Sequence, residues 1–182
     1  MRVISGTARG LRLESPDGQD TRPTLDNVKE AVFSMLFDRV RDAKVLDLFA
    51  GSGALGIEAL SRGASHCIFS DKSQKSVSIV RTNVTKARLT DKAEIVKADY
   101  KEVLSDCTGK DKKFDIIFLD PPYNKGFIEP ALEAISVGNI LAKDGIAVLE
   151  SDNTDFRSEI SGLEILNQKR YGRTFVTVYG KI

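Results

Sequence analysis

From Lys44 onward, short β-rich runs alternate with stretches of helical periodicity, and this rhythm leaves few folds open. The runs are Lys44 to Phe49, His66 to Ser70, Ala93 to Lys97, Phe114 to Leu119 and Gly145 to Glu150. Between them, Leu55 to Ser61, Ser73 to Ala87, Tyr100 to Leu104 and Phe127 to Val137 carry helical patterns, with Ser73 placed as an N-cap. A strand followed by a helix-length crossover returns parallel to itself, so the expected class is α/β with a parallel sheet covered on both faces. The end of the chain breaks the rhythm. Glu164 to Gln168 and Thr174 to Gly180 are separated by too few residues for a crossover helix and should pair antiparallel as a hairpin.

Upstream of the repeat, Arg2 to Leu13 alternates around two glycines, a turn-rich stretch follows, and a helix is predicted from about Leu25 to Arg39. The chain therefore divides into an N-terminal appendage of hairpin and helix, residues 1–42, and a main domain, residues 43–182, with no repeat and no long linker. At 182 residues, 41% apolar and 29% charged, it can bury a substantial core and lacks the composition of a disordered chain. Its longest apolar runs, such as Ile116 to Leu119, are far short of a membrane span. Met1 to Gly6 carries no apolar segment behind its charge, so a cytoplasmic protein is expected. Cys67 and Cys107 stand apart without metal-ligand spacing, so no metal is expected and both should be reduced. A net charge of +1 means that any polyanion site must be a local patch.

Two turns carry chemistry. The first strand feeds Asp47-Leu48-Phe49-Ala50-Gly51-Ser52-Gly53-Ala54-Leu55-Gly56, where small residues let the backbone turn sharply and approach a nucleotide-like ligand at a helix start. Asp71 closes the second strand twenty positions after Gly51, where a carboxylate can accept from both ribose hydroxyls. A dinucleotide such as NAD and S-adenosylmethionine (SAM) both suit this pair. Asp47 would crowd a pyrophosphate but can pair with the cationic amino acid end of SAM. Asp99, after the third strand, can accept from an adenine amino group or can cap the helix from Tyr100.

The fourth strand ends in Asp120-Pro121-Pro122-Tyr123. An exocyclic amine conjugated with its base is a poor nucleophile, so methylation needs its N–H bonds oriented by acceptors. Asp120 and the Pro121 carbonyl supply two, the prolines stiffen the corner, and Tyr123 offers a stacking face. The sulfonium methyl is already activated, so alignment is the main catalytic requirement, and no metal or covalent nucleophile is needed.

Asp47 to Gly56 followed by Asp120 to Tyr123 resembles the motifs of class I SAM-dependent methyltransferases. With Arg2-Val3-Ile4-Ser5-Gly6, Arg9-Gly10, Arg22-Pro23-Thr24 and Val28-Lys29-Glu30, the chain resembles, end to end, the bacterial 16S ribosomal RNA guanine-N2 methyltransferase family. The resemblance implies a Rossmann-like, seven-stranded, mostly parallel sheet with an antiparallel last strand, SAM as donor, and methylation of one guanine 2-amino group in 16S rRNA. It implies Gly51, Gly53 and Asp71 at the cofactor, Asp99 at the adenine, and Asp120, Pro121, Pro122 and Tyr123 at the target base. Asp47, Phe49, Ala50, Ser52, Lys72 and Tyr100 complete the candidate cofactor set.

In this reading Arg2, Arg9, Arg12, Arg22 and Thr24, with Arg170 and Arg173 of the last hairpin, grip RNA phosphates. The partner expected is 16S rRNA within a small-subunit particle or assembly intermediate, met by a monomer with no membrane association. Lys110, Lys112 and Lys113 precede the fourth strand and belong to the opposite sheet end. Two other readings remain: a DNA adenine-N6 or cytosine-N4 methyltransferase, which uses the same tetrapeptide on a flipped base, and a NAD-dependent oxidoreductase, which leaves that tetrapeptide unexplained.

Overall fold

The computed structural model describes residues 1–15, 23–122, 126–152 and 160–182. Its frame is a seven-stranded sheet of β1 (Lys44–Asp47), β2 (His66–Asp71), β3 (Ala93–Lys97), β4 (Phe114–Leu119), β5 (Leu141–Ser151), β6 (Leu163–Tyr171) and β7 (Thr174–Lys181). The strand order is β3-β2-β1-β4-β5-β7-β6, with the ladders from β3 to β5 parallel. The last strand, β7, runs antiparallel between β5 and β6. This is the α/β architecture that the alternation and the resemblance lead one to expect, including the terminal hairpin.

Successive residues of the central strands face opposite layers, and both layers are apolar. Val45, Phe69, Ile116, Phe118 and Val148 pack in one cluster with α1 (Pro23–Leu36), α2 (Ala54–Ser61) and α3 (Gln74–Lys86). Leu46, Ile68, Ile117, Leu119 and Leu149 pack in the other with α4 (Tyr100–Gly109) and α5 (Ile128–Val137). Sequence order runs outward in both directions from the β1–β4 pair, so a crevice opens above their carboxyl ends. No described helix is long and apolar enough to cross a membrane.

Several boundaries move. β1 stops at Asp47 because the chain turns there, and β5 starts at Leu141, before Gly145, across a register shift opposite Phe114 to Ile116. α4 runs on to Gly109, and α1 begins at Pro23, its Leu36 end leading into a 3-10 turn at Phe37–Arg39. Ser73 caps α3 through an Oγ acceptor 3.4 Å from the Ser76 amide. The N-terminal segment pairs as a short antiparallel hairpin, with Arg2 bridging Arg12, the Val3 amide donating to the Leu11 carbonyl at 2.9 Å and the Leu13 amide to the Met1 carbonyl at 3.0 Å. Val3 and Leu13 are buried in the same cluster as α1 and the sheet.

What pins this segment is Glu58, fully buried on α2. Its Oε2 accepts from the Ile4 amide at 2.8 Å and its Oε1 from the Ser5 amide at 3.0 Å. The Lys29 ammonium lies 3.1 Å from Oε2 and the Arg62 Nε 2.7 Å from Oε1. Lys29 also donates to the Arg2 carbonyl. One carboxylate thus joins the N-terminal strand, α1 and α2.

Candidate active site

The turn after β1 is held by the strands beside it. The Leu48 amide donates to the Phe118 carbonyl at 3.1 Å and the Ala50 amide to the Ser70 carbonyl at 2.9 Å. Gly53, at φ +78°, is the left-handed residue from which α2 starts, a conformation that costs other L-residues strain. At Gly56 the constraint is space: a Cβ there would lie 2.3 Å from Phe69 Cε1 and 2.7 Å from Cys67 Sγ. The helix can therefore lie directly on β2.

The sequence-predicted acids meet this turn in different ways. Asp47 accepts from the Gly56 amide through Oδ2 at 3.0 Å, buried at the base of α2. Asp71 accepts from the Gly51 amide at 3.0 Å and the Ser73 amide at 2.8 Å, one bond on each oxygen, which leaves lone pairs for further donors. Asp99 caps α4 through Oδ1, which accepts from the Lys101 amide at 3.1 Å. Capping and ligand contact were alternatives in the sequence, and a carboxylate with a second oxygen can do both.

Above these residues lies a cavity of about 540 Å³. Asp47, Phe49, Ala50, Gly51, Ser52, Asp71, Lys72, Asp99, Tyr100, Asp120, Pro121 and Pro122 all line it. Gly53 does not; it works behind the wall. Phe49 sits 5.4 Å from Tyr100 and 6.3 Å from Phe127, ring centre to ring centre, the latter pair stacked. The Lys72 ammonium stands 5.7 Å over the Phe127 ring. One side of the cavity is thus an aromatic wall suited to a flat heterocycle.

The other side is acidic. Each of the five parallel strands ends in or is followed by a carboxyl residue at the same sheet edge: Asp99, Asp71, Asp47, Asp120 and Glu150 in the order β3-β2-β1-β4-β5. Burial pushes the Asp47 carboxyl up to about 7, against the lowering effect of the Gly56 amide and with a further push from Asp120 and Asp71. Asp120 is reachable from the cavity yet enclosed by neighbouring protein, and that enclosure raises it to about 6. Burial and the facing Asp120 and Asp47 hold Glu150 well above the usual carboxylate range. A site this rich in carboxyls resists a pyrophosphate and favours a cation.

Sequence reading did not single out Glu150, Phe127 or the cavity role of Lys29. Glu150 had a signal, an acid ending a strand level with Asp120; Phe127 and Lys29 had none without the fold. Arg2, Arg9, Arg12, Arg170 and Arg173 are exposed. Arg2 pairs with Asp26 at 3.6 Å, and Arg170 bonds the Gly172 carbonyl at 2.8 Å and lies 5.4 Å over the Phe175 ring. Tyr123, Arg22 and the side chain of Thr24 lie outside the described residues.

Comparison with known proteins adds an independent finding. A family model described as Conserved hypothetical protein 95 matches residues 1–180. The Bacillus subtilis protein YlbH is 40% identical over 182 residues, covering 100% of this chain and 99% of its own. Escherichia coli ribosomal RNA small subunit methyltransferase D is 34% identical over 152 residues, 84% of this chain and 75% of that protein. The solved structure of Escherichia coli yhhF superposes with a TM-score of 0.85 at 28% identity, over 100% of this chain and 97% of that one.

Proposed function

The chain belongs to the Conserved hypothetical protein 95 family and is a relative of ribosomal RNA small subunit methyltransferase D, and from that premise we propose that it is a SAM-dependent methyltransferase of 16S rRNA acting on a guanine N2 amine. The observation that carries this reading is a shared cavity: the Asp120–Pro121 corner opens into the same space as Gly51, Asp71 and Asp99. Its volume of about 540 Å³ suits one nucleoside-sized donor plus the edge of a base. The residues present fit SAM: acceptors for ribose and adenine at Asp71 and Asp99, an aromatic wall, and a buried acid, Asp47, for a cationic end.

When bound, SAM supplies an electrophilic methyl on a sulfonium. Asp71 and Asp99 fix the nucleoside, and Asp47 holds the amino acid end. Asp120 and the Pro121 carbonyl accept from the two N–H bonds of the target amine, turning its lone pair toward the methyl. Transfer would form the N–C bond as the methyl's bond to sulfur breaks and the neutral thioether leaves, and the proton shed by the methylated amine would pass to Asp120, whose carboxyl is raised toward neutrality. In the same proposal residues 43–182 carry transfer, residues 1–42 with Arg170 and Arg173 grip RNA, Tyr123 stacks on the base, and the enzyme works as a cytoplasmic monomer on a small-subunit particle or assembly intermediate.

Nucleoside mass spectrometry of 16S rRNA tests the reading. N2-methylguanosine should fall in cells lacking the protein and return when their ribosomal particles are treated with enzyme and SAM. Asp120→Asn should bind SAM normally and lower the rate roughly 100-fold or more. An unchanged N2-methylguanosine content would remove the proposal.

A further inference from the structure

Glu150 is the penultimate residue of β5, one step past the Leu119–Leu149 register pair that aligns β5 with β4. That register sets it beside Asp120, and both line the cavity with Pro121. Its cross-strand neighbour on β7 is the apolar Val176. From its own side of the sheet it faces the carboxyls of Asp120 after β4 and Asp47 on β1. Of the cations that line the cavity, Lys29 is bound to Glu58 and Lys72 lies over Phe127. The row Asp47, Asp120, Glu150 therefore runs outward from the nucleoside end of the cavity, following the order β1-β4-β5.

The edge of guanine presents its groups in a matching row: the 2-amino group, then N1–H, then O6. Asp120 and Pro121 account for the amine alone. A guanine held there would leave N1–H and O6 out of water, and an unmet donor or acceptor in such a place is costly. A neutral carboxylic acid has the complementary pair, a carbonyl acceptor beside a hydroxyl donor.

Resting on the methyltransferase reading above, we propose that Glu150 is a specificity-determining residue that reads the guanine edge, its carbonyl oxygen accepting from N1–H and its hydroxyl donating to O6. Its enclosure and the two carboxyls facing it keep the required proton in place. Adenine and cytosine carry a bare ring nitrogen next to their exocyclic amine, so they satisfy one half of the acid and leave the other unmet. The second carboxyl thus supplies a choice of base that the Asp-Pro-Pro corner lacks.

The test compares wild type, Glu150→Gln and Glu150→Leu on particles lacking the modification, with SAM binding and melting measured for each. An amide keeps the donor–acceptor pair and an alkyl group keeps only the volume. Glu150→Gln should retain most of the rate, whereas Glu150→Leu should bind SAM normally and lose roughly 10-fold or more in kcat/KM. RNA carrying 2-aminopurine at the mapped nucleotide, which keeps the amine but lacks O6 and N1–H, should be methylated at least about 10-fold more slowly by wild type and with no added penalty by Glu150→Leu. Equal rates for Leu and wild type, or a folded, SAM-binding Gln variant that has lost activity, would overturn the role of Glu150. Absence of N2-methylguanosine as the wild-type product would instead overturn the underlying reading.

Discussion

Asp47 is a buried carboxyl whose proton is part of the chemistry of the free protein. Raised to about 7 by burial, it holds that proton across a range where the unfolded chain, near pKa 3.9, does not. The folded state then binds more protons between about pH 4 and 7, so the contribution of this group to stability falls as pH rises through that window, the reverse of an ordinary ion-paired aspartate. If Asp47 pairs with the amino group of SAM, as proposed above, binding has the opposite sign, since the carboxyl must lose its proton to do so. Affinity for SAM should therefore increase from pH 5.5 to pH 8, by roughly 10-fold or more, with proton release detectable by calorimetry in buffers of different ionisation enthalpy. Asp47→Asn, which keeps an acceptor for the Gly56 amide, should flatten that dependence. A pH-independent affinity in the wild type would separate Asp47 from the donor.

At the scale of elements, the joint between the N-terminal strand, α1 and α2 depends on one ion pair with both side chains almost wholly buried, at 3% for Lys29 and 0% for Glu58. Burial lowers the Lys29 pKa while Glu58 opposes the shift, so the buried ammonium is tolerable because the carboxylate is beside it. Glu58→Leu should destabilise the protein by about 3–5 kcal/mol, because it strands the ammonium and two backbone amides. Lys29→Met with Glu58→Leu should cost clearly less than the sum of the single changes in denaturant melts; strict additivity would show that the pair is uncoupled. This joint was invisible in the sequence. The parallel sheet, the helices between its strands and the acids at Asp47, Asp71 and Asp120 were legible because period, glycine spacing and strand ends are local signals. Glu58 sits 29 positions from Lys29 in a helix that reads as apolar, and only tertiary packing gives it partners. The same limit hid Phe127, whose ring meets Phe49 and Tyr100 only in the folded chain, and β5 was placed too late because a register shift interrupts its pattern.

Over the whole molecule, a net charge of +1 conceals a separation of charge at one sheet edge. Inside the cavity the strand ends contribute carboxyls, while exposed arginines stand on two segments next to residues that line it or pair with its lining. Arg12 bridges Arg2, next to Met1, which lines the cavity. The β6–β7 hairpin carries Arg170 and Arg173 past Ser151, the end of β5, because Phe175 is the residue paired with it. By contrast Lys110 and Lys113 pair with Asp106 and Asp111 at the opposite edge. On the proposed reading, phosphates would be drawn to this arginine rim and repelled from the interior, leaving the cavity to a neutral base and a cationic donor. If the rim works this way, Arg9→Ala with Arg12→Ala should weaken binding to ribosomal RNA and make the slope of log affinity against log salt shallower by about 0.7–0.9 for each phosphate no longer neutralised. SAM affinity should stay at the wild-type value, since neither arginine lines the cavity. Filter binding across a salt series measures the first quantity and calorimetry the second. An unchanged salt slope would place the RNA on another face, and a joint fall in both affinities would mean that the change had disturbed the segment anchored by Glu58 rather than the rim.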